Sequence, residues 1–195
     1  MLRLVAIGEF SRVFEKYTIF RKIVLAGQEP IVSFDKFDLN NVLIDRLGVE
    51  KCIPQRFEMA QLDGVLYLDR EEMVAVGYKQ VTNDEFWIRG HMPNFALMPG
   101  VIMCEAAAQL IAYMSMIVGV NDDGTVGFGG LNNVRFRGMV LPGDTLVLMA
   151  KIRKLRKNVM VICDFQGFVN DKLVVDGEIK GIILPADAMK KAQDS

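Results

Sequence analysis

Apolar positions change their period several times along the chain. From Phe10 to Val24 they recur at near-helical spacing (Val13, Phe14, Tyr17, Ile19, Phe20, Ile23) before Gly27 and Pro30 interrupt, which predicts a helix. Asp38 to Leu47 reads as a short helix capped by Asp38. After that the apolar runs shorten. Val65–Leu68 and Met73–Val81 predict strands joined by a DREE turn. Gly100–Val118 is one long apolar segment, with Pro99 at its first turn and Gly119 where a stop belongs, and so predicts a long helix. NDDG at 121–124 then turns the chain. Val126–Phe136, Thr145–Leu155, Val159–Val169 and Leu173–Leu184 predict strands, separated by LPGD, RKN and NDK, and the later ones form hairpins.

This order predicts an α+β fold with one long buried central helix and about six antiparallel strands. Strands and helices do not alternate, which excludes a doubly wound parallel sheet. A curved antiparallel sheet wrapped around the helix is the arrangement that buries a helix apolar on all sides. The 195 residues suit one domain. Residues 1–36 read as a helical N-terminal extension, a packing or oligomer arm, and 37–195 as the domain itself. The apolar segment from 100 to 120 is long enough to span a membrane, but Glu105 and Gln109 near its middle predict burial inside a protein instead. The opening apolar run, Leu4–Ile7, is too short for a secretory signal.

Charge and cysteine content narrow the classes further. A formal net charge of −1 points neither to nucleic acid nor to an anionic membrane surface. Cys52, Cys104 and Cys163 are odd in number and lack metal-ligand spacing, which predicts reduced thiols in a cytoplasmic protein.

The candidate chemistry centres on His91, the sole histidine, in the loop GHMPNFALMPG just before the long helix. Inside that helix Glu105 sits in VIMCEAAAQLIAYM with no basic residue within two turns. A carboxyl buried there must be partnered or protonated, and a protonated one is a proton donor at neutral pH. The competing reading has Glu105 solvated through a gap in the sheet. Gln109, one turn on, shares its face and could orient it. The free N–H groups of Gly100 and Val101 at the helix start can polarise a carbonyl oxygen. A histidine base, a carboxylic acid and a backbone oxyanion site together suit removal of a proton next to a carbonyl.

Residues 78–109, YKQVTNDEFWIRGHMPNFALMPGVIMCEAAAQ, resemble the signature region of the FabZ-type (3R)-hydroxyacyl-[acyl carrier protein] dehydratases, which have the hot-dog fold. The match includes Gly90-His91, Pro93, Met98-Pro99-Gly100, Glu105 and Ala108-Gln109, with the family's fourteen-residue interval between histidine and glutamate. IPQRFEMAQLDGV (53–65), VRFRGMVLPGDTL (134–146) and GEIKGIIL (177–184) fit further motifs in order, so the resemblance covers roughly 37–184. The departures are Met92 for Phe, Asn94 for Gly, Ala96 for Pro, Gln55 for His and Glu58 for Pro.

The resemblance implies dehydration of a (3R)-3-hydroxyacyl thioester to the trans-2-enoyl thioester in fatty acid biosynthesis. His91 would take the C2 proton, Gly100 would hold the thioester oxygen and Glu105 would protonate the leaving hydroxyl. It implies that the carbonyl of Leu97 orients the imidazole, that histidine and glutamate meet across a homodimer often assembled into a hexamer, and that no metal or redox cofactor takes part. The substrate would arrive on the phosphopantetheine arm of acyl carrier protein. Phe95, Met98, Met103 and Phe128 are candidates for an acyl tunnel, and each could equally be plain core. Arg135, Arg137, Lys151, Arg153 and Lys154, with Arg156 and Lys157, form a basic cluster that could meet an acidic carrier protein or be a solvated hairpin. The same fold serves thioesterases, hydratases and non-catalytic acyl sensors. The intact histidine and glutamate favour the dehydratase, and residues 1–36 are too short and too little basic for a sensor's DNA-binding helix pair.

Overall fold

The computed structural model describes residues 29–120 and 122–187. The predicted helix over Phe10–Val24 lies outside them. The described strands are β1 (Ile44–Asp45), β2 (Gly64–Asp69), β3 (Val74–Gln80), β4 (Thr125–Phe136), β5 (Thr145–Arg156), β6 (Met160–Val169) and β7 (Lys172–Leu184). The helices are α1 (Arg46–Glu50) and the long α2 (Gly100–Ile117), with single 3-10 turns at Phe34–Lys36 and Phe57–Met59. The strands form one antiparallel sheet in the order β1-β2-β3-β5-β6-β7-β4. It has seven strands where the pattern predicts about six. The extra one is β1, whose two residues pair Ile44 with Val65 and Asp45 with Gly64.

The order explains how α2 comes to be wrapped. The chain leaves β3, runs through the His91 loop and α2, and returns as β4 at the opposite edge of the sheet, beside β7. α2 therefore crosses the concave face and packs against β3, β4, β5, β6 and β7. Register shifts in the β2–β3, β4–β7, β5–β6 and β6–β7 pairs mark bulges, which bend strands and add twist. α2 has the length and apolarity of a membrane span, but 61% of that window is buried inside the protein. Burial runs unbroken from Gln109 to Ser115, so the helix has no polar stripe to present to water. Gly119 stops it at φ +71°, and the Val120 N–H reaches back to the Ser115 carbonyl.

The expected helix at Asp38–Leu47 is not found. Asp38 caps a turn instead: its carboxylate accepts from the Asn40 N–H at 2.8 Å, and its carbonyl accepts from the Asn41 N–H. Paired asparagines favour such a turn, and Ile44–Asp45 is drawn into pairing with β2. The helix begins only at Arg46 and is capped by Asp45, whose side chain accepts from the Gly48 N–H at 2.8 Å.

The sheet also buries part of its outer face. Val32, Leu66, Val74, Val76, Val147, Met149 and Phe168 cluster there, away from the α2 core. Ile31, Phe34 and Phe37 pack over them, with the Phe34 ring edge-on to Phe168 at 5.2 Å. Residues 31–37 thus join the compact unit that begins at Ile31. Burial on both faces is why β3 and β5 read as near-continuous apolar runs rather than as clean alternation.

Candidate active site

The His91 loop folds back onto itself just ahead of α2. The His91 N–H donates to the Trp87 carbonyl at 2.9 Å, and the Leu97 N–H donates to the His91 carbonyl at 3.0 Å. Trp87 is buried in the core, so it anchors the loop. Asn94 holds a left-handed conformation (φ +70°), which asparagine tolerates better than most residues and which explains why it can stand where the FabZ pattern has glycine. The imidazole Nδ1 lies 2.8 Å from the Leu97 carbonyl oxygen. A carbonyl can only accept, so Nδ1 carries the proton and Nε2 keeps a free lone pair.

The start of α2 shares a cleft of about 420 Å³ with His91; Leu97, Pro99, Gly100, Val101 and Phe136 also line it. The first N–H groups of a helix have no carbonyl a turn earlier to bind, and here Pro99 supplies no side-chain cap. A Cβ at position 100 would meet the Phe136 ring at 2.6 Å, so any residue larger than glycine there must push that ring aside. Met98 and Met103 are core residues that border this cleft, whereas Phe95 is exposed on the loop.

Glu105 is half-buried rather than fully enclosed. It lines a second cleft, of about 210 Å³, between α2 and the β4–β7 edge of the sheet, together with Gln55, Ala108, Ile111, Ala112 and Phe128. Gln109 holds it in place. The Gln109 Nε2 donates to Glu105 Oε1 at 2.8 Å and to the Met59 carbonyl at 2.6 Å. The Gln109 Oε1 accepts from the N–H groups of Gln61 at 2.8 Å and Leu62 at 3.2 Å. This fully buried amide thus ties the entry loop, the helix and the carboxyl together. Of the four tunnel candidates, Phe128 alone lies beside Glu105. Sequence reading missed Ala108, Ile111 and Ala112. The signal was present: Ala108 and Ala112 stand three and seven residues beyond Glu105, small side chains on its own face of the helix.

In one chain, then, His91 and Glu105 open into different clefts. Much of the basic cluster is already paired. Arg137 binds Asp176 at 2.5 Å, Arg153 binds Asp164 at 2.8 Å and also Glu178, and Lys151 lies 3.9 Å from Glu72. Arg135 and Lys154 are exposed and form no ion pair among the described residues. The three cysteines are free. Burial pushes the Cys104 thiol up to about 11. Burial, helped by the charges of Asp164 and Glu178, pushes the Cys163 thiol up to about 12. Both therefore stay protonated and unreactive at neutral pH. Among the described residues no group of three or more His, Cys, Asp or Glu side chains is placed to hold a metal ion.

A long helix buried in a curved antiparallel sheet places the protein in the hot-dog class, and solved structures share that architecture. One chain of the dehydratase heterocomplex ApeI:P from Xenorhabdus doucetiae superposes with a TM-score of 0.62 at 15% identity, covering 75% of this chain and 97% of its own. A sigma28-regulated virulence protein from Campylobacter jejuni gives a TM-score of 0.53 at 15% identity, covering 75% and 90%. At such identities the likeness shows the fold alone. Sequence similarity goes further. Residues 53–178 match the FabA-like domain. The 3-hydroxyacyl-[acyl-carrier-protein] dehydratase FabZ of Clostridioides difficile is 37% identical over 131 residues, 67% of this chain and 91% of that protein. FabZ of Streptococcus sanguinis is 33% identical over 137 residues (70% and 96%), and that of Fusobacterium nucleatum 33% over 142 (72% and 98%). The chain belongs to the FabA-like family and, within it, to the FabZ-type 3-hydroxyacyl-[acyl-carrier-protein] dehydratases.

Proposed function

We propose that the chain dehydrates (3R)-3-hydroxyacyl-[acyl carrier protein] to trans-2-enoyl-[acyl carrier protein] in fatty acid biosynthesis, with His91 and Glu105 as its acid–base pair. The observation that carries the catalytic assignment is the fixed imidazole. His91 is held through Nδ1 by Leu97 in the same cleft as the free helix N-terminus at Gly100 and Val101. A base and an oxyanion site are thus adjacent, which a thioester needs if its C2 proton is to be removed.

Nε2 of His91 takes the C2 proton. The negative charge that builds on the thioester oxygen is held by the Gly100 N–H, with Val101 and the positive helix end behind it. Glu105, oriented by Gln109, gives a proton to the departing C3 hydroxyl. Each acid–base step of this kind contributes about 10²–10⁴-fold, and an oxyanion donor about 10²–10³-fold. The separate clefts of His91 and Glu105 in one chain support a homodimer in which each site draws its histidine from one subunit and its glutamate from the other, and such dimers could assemble further as a trimer. The acyl chain would lie against Ala108, Ala112 and Phe128, beyond Glu105. The substrate's own phosphopantetheine arm is the only prosthetic group this scheme uses. Free, buried Cys104 and Cys163 fit a reducing cytoplasm.

The direct test is turnover of 3-hydroxyacyl carrier proteins of graded chain length, followed by enoyl absorbance. Water loss is expected with at least one chain length. No dehydration or reverse hydration at any length would overturn the assignment.

Arg135 and Lys154 supply the carrier-protein prediction, since their charge is free to steer an acidic partner. Charge steering is screened over about 10 Å at 0.1 M salt. Added salt should therefore lower kcat/KM for the carrier-protein substrate more steeply than for the coenzyme A thioester. Equal salt slopes would show that these side chains are merely solvated.

A further inference from the structure

Gln55 stands on the loop between α1 and β2 and lines the Glu105 cleft. Its Oε1 is shut away from solvent and meets no donor among the described residues. A buried acceptor without a donor is costly, and the loop has little freedom to relieve it. The Arg56 guanidinium binds the carbonyls of Ile53 at 2.6 Å, Gln55 at 2.7 Å and Glu50 at 2.7 Å. A few residues on, Gln109 fastens Met59, Gln61 and Leu62 to α2. Much of the remaining cleft wall is apolar, including Ala108, Ile111, Ala112 and Phe128.

We propose that Gln55 binds the hydroxyl that leaves C3, accepting the hydrogen bond of its O–H while Glu105 protonates its oxygen. The inference rests on the reading of Glu105 as the proton donor. Gln55 and Glu105 line one largely apolar cleft, and an acceptor without a donor, turned by its side chain to face that cleft, together with a carboxylic acid suits a group that is both donor and acceptor; the 3-hydroxyl is that group. In the reaction the C2–H bond breaks and His91 takes the proton. The electron pair left behind becomes the C2=C3 double bond. The C3–O bond breaks with its pair passing to oxygen. That oxygen, now carrying its original hydrogen and the one from Glu105, is water still bound to Gln55. His91 is left protonated and Glu105 ionised, and exchange with solvent resets both. With its O–H directed to Gln55, the hydroxyl turns a lone pair towards Glu105. Gln55 thereby distinguishes a 3-hydroxyacyl chain from a saturated one.

The test compares two measurements across variants: kcat/KM for a 3-hydroxyacyl carrier protein, and the inhibition constant of the saturated acyl thioester of equal length. Gln55→Leu, similar in size but with no acceptor, should lower kcat/KM about ten-fold or more while leaving inhibition by the saturated thioester unchanged. Gln55→Met serves the same purpose should the leucine variant not fold. Gln55→His, which restores a ring nitrogen able to accept, should recover most of the rate. Unchanged kcat/KM, or an equal loss for both thioesters, overturns the proposal and makes Gln55 a packing residue. His91→Ala and Glu105→Gln are run alongside. If they are inactive while Gln55→Leu is normal, only this inference fails. If they too are active, the acid–base reading itself is lost.

Discussion

Replacing His91 with Ala, or Glu105 with Gln, should each cut turnover at least ~100-fold and leave the fold intact. Neither side chain supports the core. His91 is exposed and bonds only to its own loop, so its removal frees the Leu97 carbonyl to water. Glu105→Gln keeps the shape and retains an oxygen to accept the hydrogen bond from Gln109, but it cannot donate a proton as an acid. Enoyl absorbance measures the rate, and circular dichroism checks that each variant is folded. A Glu105→Gln enzyme of near-normal rate would remove the general-acid role. A normal His91→Ala enzyme would remove the base.

The second large effect is recovery. Two inactive proteins, His91→Ala and Glu105→Gln, should regain activity when combined in mixed dimers, up to about half the native rate per dimer. One of the two sites in such a dimer holds both native groups. The physical basis is placement. Glu105 is set about 7–8 Å along the helix from Gly100, at 1.5 Å per residue. It also opens into a cleft on the β4–β7 side, not into the one that holds His91. A neighbouring subunit's glutamate can face the polarised carbonyl where the same chain's is set back. Mass spectrometry establishes that mixed dimers have formed. Their complete inactivity would place both groups of a working site on one chain.

Much of this was legible in local pattern. The long helix announced itself because Pro99, eighteen mostly apolar residues and Gly119 are all local signals. The late hairpins did so because their turn residues sit between short apolar runs. The Asp38–Leu47 helix was misread because local capping chemistry competed with pairing to β2, a partner some twenty residues away that no window over 38–47 contains. β1 was missed for the same reason. Two residues carry no period, and only the partner strand makes them a strand.

By itself the sequence determined the helix, six of the seven strands, and the candidate pair with its fourteen-residue interval, because residue type and spacing are properties of the chain. The tertiary structure decided what each side chain meets. It put the imidazole against the Leu97 carbonyl, gave Gln109 all four of its hydrogen bonds, and left the buried Gln55 oxygen without a donor among the described residues. It also sent His91 and Glu105 into different clefts, and turned Arg137 and Arg153 from free charges into ion-paired ones. These outcomes depend on which distant segments the curved sheet brings within a few ångströms of one another, and hydrogen bonds and charge pairs act only over that range.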